Sequence, residues 1–239
     1  IAPQVATAIV NARLRRDALE AERLERQVKL AGEVQRRMIP ARPPEHPHYR
    51  FGCVYEPSFE LGGDFYDFIE LPDGGLGVVI ADVVGKGVPA SLMMASARSV
   101  LRSHAKRAAD LGELMQIVNR RLGYDLLPSE FVTALYAVLD QDGRRLRYCS
   151  AGHEPLLLLR DGELESHGVG GLVLGIDPDA NYEVGELALE GGDLLVFSTD
   201  GLIESLNYRD ESYGRVRLHS SIKLHGAMAP DMPVNLIAK

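Results

Sequence analysis

Apolar residues recur at three- and four-residue steps near the start of the chain: Val10, Leu14, Ala18, Ala21, Leu24, Val28, Ala31 and Met38, with Gln35 the polar exception. This spacing predicts one long helix over about 5–38, carrying a narrow heptad-like seam flanked by charges of both signs. The stretch contains no proline and a single glycine, Gly32. A helix this long has more seam than one domain face usually covers. The pattern therefore predicts an inter-chain coiled coil, modest in strength because alanine fills much of the seam. Met38-Ile-Pro-Ala-Arg-Pro-Pro stops the helix, since proline cannot continue it and pushes the preceding residue toward extended geometry.

Past Pro40 the period shortens. Strand-like runs are predicted at about 50–56, 65–71, 76–82, 131–139, 145–150, 155–160, 182–189 and 193–198. Turn pairs such as Asp73-Gly74, Asp142-Gly143 and Asp161-Gly162 separate several of them. Two helices are expected between the third and fourth strands. One runs from Pro89 to about Lys106, with proline suited to a first turn. The other spans Leu111 to Leu127, with Leu111, Leu114, Met115, Val118 and Leu122 on one face. Hairpin-linked strands around an inserted helix pair predict two antiparallel sheets with helices packed outside, rather than a doubly wound parallel sheet. The expected division is a helical segment, 1–40, followed by an α/β (α+β) domain, 41–239.

Composition narrows the function. A net charge of −8 argues against a nucleic-acid binder, which is usually basic. It suits a site that gathers carboxylates around cations. Cys53 and Cys149 lie far apart in apolar stretches and are read as buried free thiols in a reducing compartment. No apolar run approaches a membrane span and no signal peptide opens the chain, so the expectation is a cytoplasmic protein.

Three aspartates carry the chemistry. Asp82 ends the run Leu76-Gly-Val-Val-Ile-Ala and enters Val83-Val84-Gly85-Lys86-Gly87. Asp200 ends Leu194-Leu-Val-Phe-Ser-Thr and precedes Gly201, and Asp64 follows Gly62-Gly63. A single Asp beside Gly is usually a turn former. A carboxylate at the end of a buried strand, however, is costly unless it meets something positive. Three of them suggest a site for hard cations with oxygen ligands, Mg²⁺ or Mn²⁺. A two-metal hydrolase uses such a set: one carboxylate bridges both ions, others hold one each, and a bridging water loses a proton to become the nucleophile. On this reading no side chain is itself catalytic.

Other motifs carry less. Gly85-Lys86-Gly87 lacks the order of a phosphate-binding loop, and Gly168-Val-Gly170-Gly171 lacks the third glycine of a dinucleotide fingerprint. Ser198-Thr-Asp-Gly lacks the frame of a nucleophilic serine. His153, in Ala-Gly-His-Glu-Pro, is read as a turn histidine with a structural role.

Six ordered motifs together resemble one family. They are Glu-Val-Gln-Arg-Arg-Met-Ile-Pro (33–40), Gly-Gly-Asp-Phe-Tyr-Asp (62–67), Ala-Asp-Val-Val-Gly-Lys-Gly-Val-Pro-Ala-Ser-Leu-Met-Met-Ala (81–95), Phe-Val-Thr-Ala-Leu-Tyr (131–136), Ala-Gly-His-Glu-Pro (151–155) and Ser-Thr-Asp-Gly-Leu-Ile-Glu-Ser (198–205). This order resembles the SpoIIE/RsbU-type serine phosphatases, a bacterial branch of the metal-dependent PPM (PP2C-like) enzymes. The resemblance implies an αββα sandwich with two Mn²⁺ or Mg²⁺ ions between the sheets. It implies Asp82 as the bridging ligand with the Val83 carbonyl beside it, Asp200 on one ion, and Asp64 at the edge through water. Asp67 is read as lying outside the ligand set. The implied substrate is phosphoserine or phosphothreonine on a small anti-sigma-factor antagonist (STAS-type) protein. The opening stretch looks like the last helix of a GAF sensor domain, implying an upstream sensor acting through a homodimeric coiled coil. The family pattern ordinarily ends with an Asp-Asp-x-Thr strand, and no Asp-Asp pair occurs in these residues. A rival expectation follows from that departure: a non-catalytic module on the same scaffold that binds a phosphoprotein.

Overall fold

A computed structural model describes residues 2–108 and 110–226, with side chains from Val10 onward. The expected ending around Asn235–Lys239 lies outside the described residues. The first element is the long helix α1 (Ala2–Arg36), closed by turns from Arg37 N to the Val34 carbonyl (3.2 Å) and Met38 N to the Gln35 carbonyl (2.9 Å). Then come β1 (Phe65–Glu70), β2 (Leu76–Val83), α2 (Gly87–Ala105), α3 (Leu111–Leu122), β3 (Val132–Leu139), β4 (Arg145–Ala151), β5 (Leu156–Arg160) and β6 (Glu163–His167). The described chain closes with β7 (Gly170–Gly171), β8 (Gly185–Ala188), β9 (Leu194–Val196), α4 (Asp200–Glu204) and α5 (Gly214–His225).

The larger sheet runs β1-β2-β3-β4-β7, with β8 also paired to β4, and the smaller runs β6-β5-β9. All pairs are antiparallel except the short β4–β7 contact. Pleat alternation sorts the side chains. Phe65, Ile69, Val79, Ala81 and Val83 face α2 and α3, meeting Met94, Leu101, Leu114, Met115 and Val118. On the other face Phe68, Val78, Ile80, Leu135 and Leu146 meet Leu156, Leu195 and Phe197 of the small sheet. That sheet's outer face, Leu157 and Leu159, is covered by Leu202, Leu218 and Ile222 from α4 and α5. The result is four layers, helices–sheet–sheet–helices, as the antiparallel sandwich expectation required.

α3 forms because Asp110 caps it, its side chain accepting from Glu113 N at 2.7 Å. The predicted face Leu111, Leu114, Met115, Val118 and Leu122 is the buried one. The helix stops at Leu122 rather than Leu127; Gly123 is its C-cap, and the chain continues in turns.

Several sequence expectations are corrected. Residues 50–56 form no strand. Phe51 packs its ring edge-on against Phe68, centroids 5.2 Å apart, so this segment lies over the sheet without joining a ladder. The strands expected at 182–189 and 193–198 shorten to β8 and β9, and β6 was not foreseen because its exposed Glu-rich pattern carries no apolar run. In α1 the exception in the seam is the residue that matters. Gln35 is 5% exposed, whereas Val10, Leu14 and Leu24 are 55–61% exposed. Among the described residues no helix is long and apolar enough to cross a membrane.

Candidate metal centre

Asp82 sits near the end of β2, with Ala81 and Val83 turned toward the helices and Asp82 itself toward the space between the sheets. Its ladder partner is Thr133 on β3. The β1–β2 register, Phe65 opposite Ala81, brings Asp64 alongside Asp82. From the small sheet, the chain leaving β9 reaches Thr199 and Asp200, where α4 begins. Thr199 Oγ1 donates to Asp64 Oδ2 at 2.8 Å, tying the two ends together. The residues expected from sequence, Asp64, Asp82, Val83 and Asp200, therefore meet at one place, the end of the cleft between the sheets.

Electrostatics there is strained. The Asp82 carboxyl is pushed up to about 8, chiefly by burial, then by a hydrogen bond with Asp64 and by the charges of Asp64, Asp200 and Glu204. Asp200 is also raised, by burial first and then by Glu204 and Asp64. Glu204, one helical turn after Asp200, was not singled out in the sequence, although the four-residue spacing on α4 signals it. Arg215 on α5 pairs with Glu154, at 2.6 Å, and among the described residues no salt bridge to Asp64, Asp82 or Asp200 is formed. Gly63 lacks a side chain where one would press on the Val83 carbonyl and the Asp82 carboxylate, keeping that cradle of oxygen atoms clear.

The chemistry of the donors, carboxylates and a backbone carbonyl, fits hard divalent ions. Among the described residues no three of His, Cys, Asp and Glu close into a ready-made cage. The free thiols play no part; burial pushes Cys53 up to about 11 and Cys149 up to about 12, leaving both protonated and inert.

Two features escaped the sequence reading. Gln35 of α1 lays its amide against the backbone of Gly62: Nε2 donates to the Gly62 carbonyl at 2.7 Å and Gly62 N donates to Oε1 at 3.0 Å. Gly32, also buried, lets the helix backbone approach Glu60 closely. α1 therefore docks on the loop that carries Asp64, and a polar residue in a helical seam gave no sign of it. The second is Asp67, which faces the helix layer and is 1% exposed. It pairs with Arg98 at 3.0 Å and Arg102 at 2.7 Å, pinning α2 to β1, a pairing the sequence reading did not anticipate.

This four-layer sandwich with acidic strand ends between its sheets is the PP2C-like phosphatase fold. The SiaA-PP2C domain of Pseudomonas aeruginosa superposes with a TM-score of 0.79 over 92% of this chain and 89% of its own, at 22% identity. The chain belongs to the Stage II sporulation protein E (SpoIIE) family, whose model matches residues 72–239. Phosphoserine phosphatase RsbU of Bacillus subtilis (strain 168) is 29% identical over 77% of this chain and 55% of its own length. The RsbU and RsbW domains of Rv1364c from Mycobacterium tuberculosis are 29% identical, with a TM-score of 0.61 over 77% of this chain and 50% of theirs. The chain thus spans about half the length of RsbU and of the Rv1364c structure.

Proposed function

We propose that this chain carries a metal-dependent protein serine/threonine phosphatase that hydrolyses phosphoserine or phosphothreonine on a small regulatory protein of the anti-sigma-factor-antagonist type. The observation that carries the reading is the Asp64–Asp82–Asp200 cluster at the mouth of the inter-sheet cleft, with Asp82 displaced so far that a cation is its natural partner. Names among the relatives support it: RsbU and, at 25% identity, RsbP are phosphoserine phosphatases. A fold neighbour, RsbX, crystallised in complex with magnesium.

Asp82, the Val83 carbonyl and Asp200 would hold Mn²⁺ or Mg²⁺, with Asp64 at the edge. The ions, when bound, supply an activated water and a Lewis acid for the phosphoryl group. The chain's own residues do the positioning. Thr199 orients Asp64, and the β2–β3 ladder fixes Asp82. The test is phosphate release from a phosphoserine protein with and without Mn²⁺. Release that requires the metal is expected. Tight binding of the phosphoprotein without any release would instead favour a non-catalytic module.

In the same proposal, residues 1–40 join an upstream cytoplasmic GAF-type sensor to the phosphatase domain, and α1 pairs with its copy. Val10, Leu14 and Leu24 of the seam are all more than half exposed on this helix. A helix–helix seam is the simplest cover for them, and a twofold dimer its commonest form. Sedimentation of Leu24→Glu is expected to shift dimer to monomer. A wild-type chain that is already monomeric at high micromolar concentration would remove the basis for this arrangement. Movement of α1 would reach Asp64 through Gln35 and Gly62, and also α2, which α1 touches.

A further inference from the structure

His153 lies in the four-residue crossover from β4 of the large sheet to β5 of the small one. Its backbone is fixed in both directions by Ser150: His153 N donates to Ser150 Oγ at 3.2 Å, and that hydroxyl donates to the His153 carbonyl at 3.4 Å. The ring is thereby aimed into the cleft. Nδ1 lies 2.7 Å from Thr133 Oγ1, and Thr133 is the residue directly opposite Asp82 on the β2–β3 ladder. Nε2 is sealed from solvent and has no hydrogen-bond partner among the described residues.

The ring's surroundings extend to the other half of the site. Burial lowers its pKa to about 4, and Asp64, Glu154 and the Ser198 backbone pull the other way. Ser198 precedes Thr199, the residue that bonds Asp64. A chain of contacts therefore runs from Asp82 across the ladder to Thr133, to His153, to the Ser198–Asp200 turn, and back through Thr199 to Asp64. The two candidate ligand groups stand on different sheets, and their separation is set by how far apart the sheets sit at this end. His153 contacts both sides here, Thr133 on the large sheet and the Ser198 backbone beyond β9 of the small one. The half-buried ring is held from both sides, by Thr133 and by the Ser198 backbone, and not by packing alone.

We infer that His153, acting through Thr133, is a positioning residue that sets the spacing between the Asp82 strand and the Asp200 turn, and so the affinity of the site for divalent ions. The inference rests on the phosphatase reading above but concerns a residue that touches none of the candidate ligand atoms. Supporting partners of this kind typically change metal affinity by about 10–100-fold when removed.

The test is calorimetric titration of the chain with Mn²⁺, alongside thermal melting as a control for folding. His153→Ala and Thr133→Val are each expected to weaken Mn²⁺ binding by about tenfold. The double variant should be no weaker than the worse single, because both remove one contact. His153→Asn, which keeps a hydrogen-bonding group toward Thr133, should recover most of the loss. If His153→Ala fails to fold, Thr133→Val and His153→Asn carry the test unaided. Mn²⁺ affinity within about twofold of wild type in a folded His153→Ala, or additive losses in the double variant, would overturn the inference and leave the phosphatase reading standing. A wild-type chain that binds no Mn²⁺ at all would overturn both.

Discussion

Asp82→Asn is expected to abolish Mn²⁺-stimulated phosphate release, by on the order of a thousandfold or more, while the chain stays folded. The substitution keeps the shape of the side chain and its place opposite Thr133, but removes the charge at the point where Asp64, Asp200 and Glu204 converge. Near-wild-type turnover in the variant would sink the assignment of Asp82. The same carboxyl yields a stability signature that needs no substrate. In the metal-free chain its pKa is about 8 when folded, against an ordinary 3.8. Between those values the folded state holds a proton that the unfolded state has released, so this group's contribution falls as pH rises through the window. Melting of the chelator-treated protein should therefore decline from pH 5 to pH 8. Asp82→Asn should flatten the decline, and saturating Mn²⁺ should reverse it by binding only the folded, ionised form. A melting temperature that climbs with pH in the chelated wild type would contradict this account.

Asp67→Ala is expected to produce the largest loss of stability of any single substitution considered, about 3–5 kcal/mol, since it strands buried positive charge. Asp67 is 1% exposed and holds two guanidinium groups, while Arg98 is itself only 17% exposed. Burial already lowers the Arg98 pKa, and Asp67 is what pulls it back up. Asp67 Oδ1 also accepts from Phe68 N at 2.8 Å. Asp67→Asn should cost less, because the amide oxygen can still accept from Arg102. Neither variant should greatly change the Mn²⁺ dependence of whatever protein remains folded, which separates this ion cluster from the metal centre. Chemical denaturation of both variants, with Mn²⁺ titration of the folded fraction, checks the two statements together. A loss below about 1 kcal/mol would mean that Arg98 finds water or another partner when Asp67 is removed.

The β2 and β3 runs were legible because both faces of the central strands are covered, so nearly every position had to be apolar. α3 was legible because its buried face follows the helical period without interruption. Asp64, Asp82 and Asp200 could be grouped because a charge at the end of an apolar strand contradicts its surroundings. What escaped notice depends on contacts between distant segments. The 50–56 run has the composition of a strand, yet composition cannot say whether a ladder partner is available. Gln35 and Asp67 are polar residues whose burial is made tolerable by partners 27 and 31–35 positions away, a distance no local pattern reports. His153 looked like an ordinary turn histidine because its partner, Thr133, is 20 residues distant.

The pairing of Gln35 with Gly62 has a consequence for how such a domain can be reused. The amide reads only a backbone N–H and C=O, at a position where a side chain would press on Tyr55 and Pro57. The address on the domain side is thus written in main chain, and it asks only that position 62 stay small. On the helical side it needs little more than a small residue at position 32 and an amide three positions later. A foreign helix meeting that two-residue requirement in the right phase would plug into the same socket. Helices of otherwise unrelated sequence could then be exchanged without rebuilding the loop that holds Asp64.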